Sequence, residues 1–181
     1  MLRRAYLLLL GALLLAGCTS LPDPAERMPA LERRIAVLVE EEREKLDTHA
    51  KPLAIDPELG QVARKRSADM AAKNYLAHAA ANGETAATLL MAQDKRFQGL
   101  LGENMAAVHF LKQSGVDVDA AARTVVDIWL NSPKHRDNMA FAPYTMTGIG
   151  AAANADTVYV TALFATDLGL PPHEEDKSPA Q

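Results

Sequence analysis

The chain has 181 residues, 23 acidic against 19 basic, a formal charge of −4, a single cysteine and 49% apolar positions. That length suits one domain with one core. Mild acidity without a basic cluster argues against a nucleic-acid partner, and a lone cysteine excludes an internal disulfide framework, so the fold must rest on apolar burial.

Arg3 and Arg4 precede an apolar run over residues 5–15, which reads as an export leader covering 1–17. The run is shorter than the about 20 apolar residues that a membrane helix needs. Leu15-Ala16-Gly17-Cys18 has the wording of a bacterial lipobox, whose cleavage leaves Cys18 lipidated. The alternative is an ordinary leader with an incidental cysteine, but a free thiol in an oxidising envelope is unusual and acylation removes it. The expectation is a monomeric domain anchored to the membrane of the cell envelope through Cys18. Thr19 in place of Asp points to the outer membrane, facing the periplasm, if the source is Gram-negative. Residues 18–29 are polar and Pro-containing and read as a tether.

A helical pattern follows, with Leu31, Ile35, Leu38, Val39 and Leu46 largely on one face and residues 40–45 as a solvated charge run, closed by Pro52. Asp56-Pro57-Glu58 starts a second helix, with Leu59, Val62, Ala63 and Met70 inward and Arg64, Lys65, Asp69 and Lys73 outward. Asn74-Tyr75 closes it and leaves His78 just past a helix end. Asn82-Gly83 marks a turn, residues 85–93 a short helix, and residues 94–101 an irregular stretch leading into Gly102-Glu103-Asn104. Residues 119–130 form a third long helix whose stripe of Ala122, Val125, Val126 and Trp129 places the tryptophan in the core. Ser132-Pro133 repeats the cap-then-proline signal, so His135 falls in the first turn of a short helix ending near Met139. Residues 145–152 and 158–165 read as a hairpin around Asn154-Ala155-Asp156, with Gly148 and Gly150 permitting close backbone approach. The tail, residues 169–181, is polar and reads as disordered; His173-Glu174-Glu175-Asp176 is a solvated acidic end. Long helices with late strands, without regular alternation, give an α+β class.

Three segments carry chemistry: Tyr75-Leu76-Ala77-His78, Gly102-Glu103-Asn104, and Trp129-Leu130-Asn131-Ser132-Pro133-Lys134-His135-Arg136-Asp137-Asn138. Two imidazoles and a carboxylate can bind a polar ligand, move protons or hold a divalent metal such as zinc, with His78 and His135 as ligands. Each also has a plainer reading, in which Glu103, Asn104 and His135 tie helix ends to the sheet and Ser132 is an N-cap. Ser132 and His135 superficially resemble a Ser-His pair, yet there is neither a Gly-x-Ser-x-Gly elbow nor a Ser-x-x-Lys motif.

In this order the segments resemble the CAP superfamily (cysteine-rich secretory proteins, antigen five and plant pathogenesis-related proteins), in its disulfide-free bacterial branch. The resemblance implies an α-β-α sandwich with a central antiparallel sheet, a domain over residues 30–168, and a cleft lined by His78, Glu103, Ser132, His135 and Tyr159. It makes His78 and His135 the pocket histidines and Glu103 the glutamate of the Gly-Glu-Asn motif. Ser132 stands where many eukaryotic members carry a second acid, Tyr159 where they often carry their second histidine, and Ala162 replaces the usual glutamine of the final strand. The eukaryotic four-residue site is therefore incomplete, and activities tied to it do not carry over. What the resemblance leaves is an envelope module that binds a lipid, glycan or protein ligand. The alternatives are a metal-dependent hydrolase of peptide or cell-wall material, with catalytic candidates His78, Glu103 and His135 and Glu103 as base, and a purely structural lipoprotein.

Overall fold

The structure is a computed structural model and describes residues 21–167. The leader, Cys18 and the tail from 169 onward lie outside the described residues. The elements run α1 (Pro24–Leu46), β1 (Ala54–Ile55), α2 (Pro57–Lys73), α3 (Ala86–Gln93), β2 (Gly99–His109), α4 (Val118–Asn131), α5 (Pro133–Ala140), β3 (Met146–Asn154) and β4 (Thr157–Asp167). No helix among the described residues is long and apolar enough to cross a membrane.

The sheet order is β1-β3-β4-β2. β4 is the spine: it pairs antiparallel with β2 from Gly99↔Asp167 to His109↔Thr157, and with β3 from Met146↔Ala165 to Asn154↔Thr157. The three long strands are antiparallel as expected, but β1 adds a two-residue parallel edge on β3. Along β4, Val158, Val160, Ala162 and Phe164 pack with α1, α4 and α5 residues. Leu163 and Ala165 point the other way, onto α2 and α3. Both faces of the strand are thus covered, which gives the three-layer α+β sandwich and explains why its sequence is apolar almost throughout.

Gly148 and Gly150 let α2 lie flush on β3, because a Cβ at either would collide with the α2 backbone at Leu59–Gly60 or Ala63–Arg64. Ser67 Oγ fixes the contact, 2.9 Å from Gly150 O and 3.0 Å from Thr161 Oγ1. Trp129 is fully buried, and its Nε1 donates to Met105 O at 3.0 Å, which locks α4 to β2.

Four expectations need correction. The tether ends earlier than residue 29, because Asp23-Pro24 caps α1 much as Asp56-Pro57 caps α2: Asp23 Oδ1 accepts from Ala25 N at 2.9 Å. Pro29 costs one helical hydrogen bond but does not stop the helix, since Met28 already belongs to the buried stripe of Leu31, Ile35 and Val39. The run over 40–45 is not wholly solvated, for Arg43 is buried one turn beyond Val39. α1 ends at Leu46, on an Asp47 cap, well before Pro52. Finally, residues 99–109 form a third long strand whose Gly, Glu and Asn hide the alternation.

Candidate functional site

β2 is the outer strand of the sheet, so groups from both faces can meet around its edge. On the α2 face, Asn74 ends α2 in the left-handed region (φ 53°) and turns the chain back. Asn154 Nδ2 holds that turn, donating to Ala71 O at 2.7 Å and Asn74 Oδ1 at 3.0 Å. The returning segment carries His78 over Glu103, and His78 Nδ1 lies 2.6 Å from Glu103 Oε2.

Arg66 sits beneath this pair with no exposed side-chain surface. Its Nε reaches Glu103 Oε1 at 3.4 Å, Nη1 donates to the Tyr75 hydroxyl at 3.2 Å and Nη2 to Ala77 O at 2.5 Å. Tyr75 in turn donates to Asp69 Oδ2 at 2.6 Å. The Lys73 ammonium, and then the Tyr75 hydroxyl, hold the Asp69 carboxyl below its ordinary range. Burial, and then the bond to Asp69, push the Tyr75 phenol up. One guanidinium therefore holds both the carboxylate under His78 and the backbone just before it. Arg66 is absent from the sequence reading, although it continues the Leu59, Val62, Ala63 stripe by one helical step and lies one turn before Met70.

On the other face Asn104 points at α5. Its Nδ2 donates to His135 O at 2.9 Å, and its Oδ1 accepts from Asn138 Nδ2 at 2.9 Å. Asn138 Oδ1 accepts from the Tyr144 hydroxyl, also at 2.9 Å. Position 102 must be glycine here, because a Cβ would fall on Asn138 Oδ1 and the Tyr144 hydroxyl. Burial lowers the His135 pKa below the ordinary imidazole value, and the His78 charge lowers it further. α5 therefore brings His135 from the face of the sheet opposite to the one that carries His78. His135 Nδ1 is buried without a hydrogen-bond partner.

Tyr159 sits differently from expectation, and Ser132 takes its expected N-cap place without a side-chain bond. Tyr159 is buried with Met70, Ala71 and Met105 in a core cluster under α2, rather than lining a cleft. Ser132 occupies the N-cap of α5, but its side chain makes no capping bond. It is simultaneously the C-cap of α4, and it serves both helices through its backbone: its N donates to Trp129 O at 3.2 Å and its O accepts from Arg136 N at 2.9 Å.

The chemistry follows from valence. A carboxylate only accepts, so the proton of the His78–Glu103 bond belongs to Nδ1, and neutral His78 turns the Nε2 lone pair outward. The His78 side chain is 63% exposed, whereas that of Glu103 is 10% exposed. Zinc asks for three or four donors. Among the described residues no three His, Cys, Asp or Glu side chains are grouped to hold an ion. Glu103 is committed to Arg66 and His78, so the two imidazoles remain as donors, and the set does not fit a zinc centre. An apolar groove of about 500 Å³ lies elsewhere, between α1, β1, α2 and β3, and includes Ala36, Val37, Leu53, Ile55 and Ile149 but none of the three site residues.

Residues 38–165 match the CAP family, described as the cysteine-rich secretory protein family. The chain belongs to the CAP family. Its CAP domain is 30% identical over 121 residues to the protein YkwD of Bacillus subtilis, a match that takes in 67% of this chain and only 42% of that relative. A solved extracellular SCP-domain protein of Bacillus anthracis is similar at 28% identity and a TM-score of 0.60, over 81% of this chain and 44% of that one. An outer surface protein of Borrelia burgdorferi shares the fold, at 21% identity and a TM-score of 0.63, over 76% of this chain and 93% of that one. Despite the family's name, the matched segment of this CAP domain contains no cysteine.

Proposed function

We propose that this CAP domain is an extracytoplasmic module, anchored in the cell envelope through lipidated Cys18, that binds a ligand or partner at His78, Glu103 and His135. One observation carries the reading: an exposed imidazole whose Nδ1 is fixed by a nearly buried carboxylate, itself held by a fully buried arginine. Core packing has no need of an exposed, oriented ring. Preorganisation of this kind lowers the cost of binding. The bacterial relatives described as extracellular or outer-surface proteins agree with an exported domain. Two or three acyl chains on Cys18 would anchor it stably, since each buried CH₂ contributes about 0.8 kcal/mol. Mass spectrometry of the native N-terminal peptide should find Cys18 acylated; an unmodified cysteine removes the anchor from the proposal.

The binding test compares molecules extracted from natively purified wild-type protein with those from His78→Ala and Glu103→Gln. A species retained by the wild type and lost from both folded variants supports the proposal, and identical extracts contradict it. The His78–Glu103 distance also favours a second reading, a hydrolase in which His78 Nε2 takes the proton of a water. Glu103 then positions the ring and is not itself the base, since its oxygens face Arg66 and His78. Cell-wall or peptide hydrolysis abolished by His78→Ala would select this reading.

A further inference from the structure

Arg43 lies in a charged stretch of α1 yet is only 1% exposed, and every hydrogen bond of its guanidinium goes to a backbone carbonyl. Nη1 donates to Met139 O and, at 3.4 Å, to Phe141 O. Nη2 donates to Lys51 O at 3.3 Å and Tyr144 O at 3.5 Å. Met139 stands in the last turn of α5 and Phe141 is its C-cap. The cation therefore covers the negative end of the helix whose first turn carries His135. Burial lowers the Arg43 pKa, against the opposing influence of the Glu40 and Asp47 charges. Desolvation of the charge offsets part of what these bonds contribute to stability.

α5 has only eight residues, too few to hold its place by its own hydrogen bonds. Beside the burial of Met139 in the core, three polar attachments fix it. Asn104 holds His135 O, Asn138 is held between Asn104 and the Tyr144 hydroxyl, and Arg43 holds the C-terminal carbonyls. Tyr144 joins the last two, with its hydroxyl on Asn138 and its carbonyl on Arg43.

We propose that Arg43 is a positioning residue for His135: a carbonyl clamp reaching from α1 to the far end of α5 that fixes where the His135 ring sits. The proposal rests on the functional reading only in taking His135 as part of the site, and it is tested without any ligand. The measurement is the imidazole ring spectrum of the full chain by NMR, well below its melting temperature, together with amide exchange along α5. In Arg43→Met the His135 ring signals should move while those of His78 stay, and α5 amides should exchange about tenfold faster than in the wild type while those of α2 keep their rate. Methylguanidinium added to Arg43→Ala should return the His135 signals to their wild-type positions. A folded Arg43→Met with unchanged His135 signals and unchanged α5 exchange overturns the proposal. So does loss of the fold in both Arg43→Lys and Arg43→Met, which would make Arg43 a support of the whole domain. Failure of the ligand-extraction test alone leaves these signals as predicted, so the two ideas fail separately.

Discussion

The regions around Arg66 and Arg43 both bury a guanidinium, and they differ in what it meets. Under His78, Arg66 meets a carboxylate, a phenol and a carbonyl, and the carboxylate passes the constraint to an exposed ring. Behind α5, Arg43 meets only carbonyls, and the constraint passes through a short helix to a half-buried ring. The first arrangement fixes one side chain directly, and the second fixes a segment. Removing one partner should therefore hurt unequally, because only the first leaves an unpaired charge behind.

The largest effect is expected at the first region. Arg66→Met strands Glu103 with little solvent, and breaking a buried ion pair costs about 3–5 kcal/mol. Arg43→Met leaves neutral carbonyls unsatisfied, at about 1–3 kcal/mol. Urea unfolding of the two variants decides this; equal losses, or a larger one at Arg43, would break the comparison. Next comes Gly102→Ala, whose Cβ displaces Asn138 and Tyr144 and should cost about 1–3 kcal/mol through overpacking. It should disturb α5 before it disturbs the His78 loop, as amide exchange would show. The smallest effect is the pH dependence from His135. Its folded pKa is lowered, so as pH falls the unfolded chain binds the proton first, near about 6.5. Stability linked to neutral His135 is therefore present above that value and is lost as pH falls through the folded pKa. His135→Gln should flatten the fall in unfolding midpoint between about pH 7.5 and about pH 5, and an unchanged slope would argue that the ring is not desolvated.

Much of this molecule is legible in the sequence because local signals and burial agree. Asp56-Pro57 starts α2, the stripe ending in Trp129 faces the core, and the glycines at 148 and 150 mark the closest helix–sheet contact. The pairing of His78 with Glu103 follows motif order, although no spacing predicts a distance. What stays hidden are the two arginines, since a charged residue on an apolar stripe reads as an interruption of it. β2 stays hidden for a related reason, with Glu103 and Asn104 facing opposite layers, each satisfied by a partner far away in sequence. Tyr159 shows the converse, for its family position names a cleft while its alternation along β4 places it under α2.

The central claim is that Glu103, held by Arg66, locks the His78 ring so that Nε2 faces outward. Nitrogen–proton correlation spectra of the imidazoles, recorded in alkaline solution where histidines are neutral, read the tautomer directly. The account predicts that His78 carries its proton on Nδ1 in the wild type and loses that preference in both Glu103→Ala and Arg66→Met. A wild-type His78 protonated on Nε2, or one tautomer mixture common to all three proteins, would contradict it.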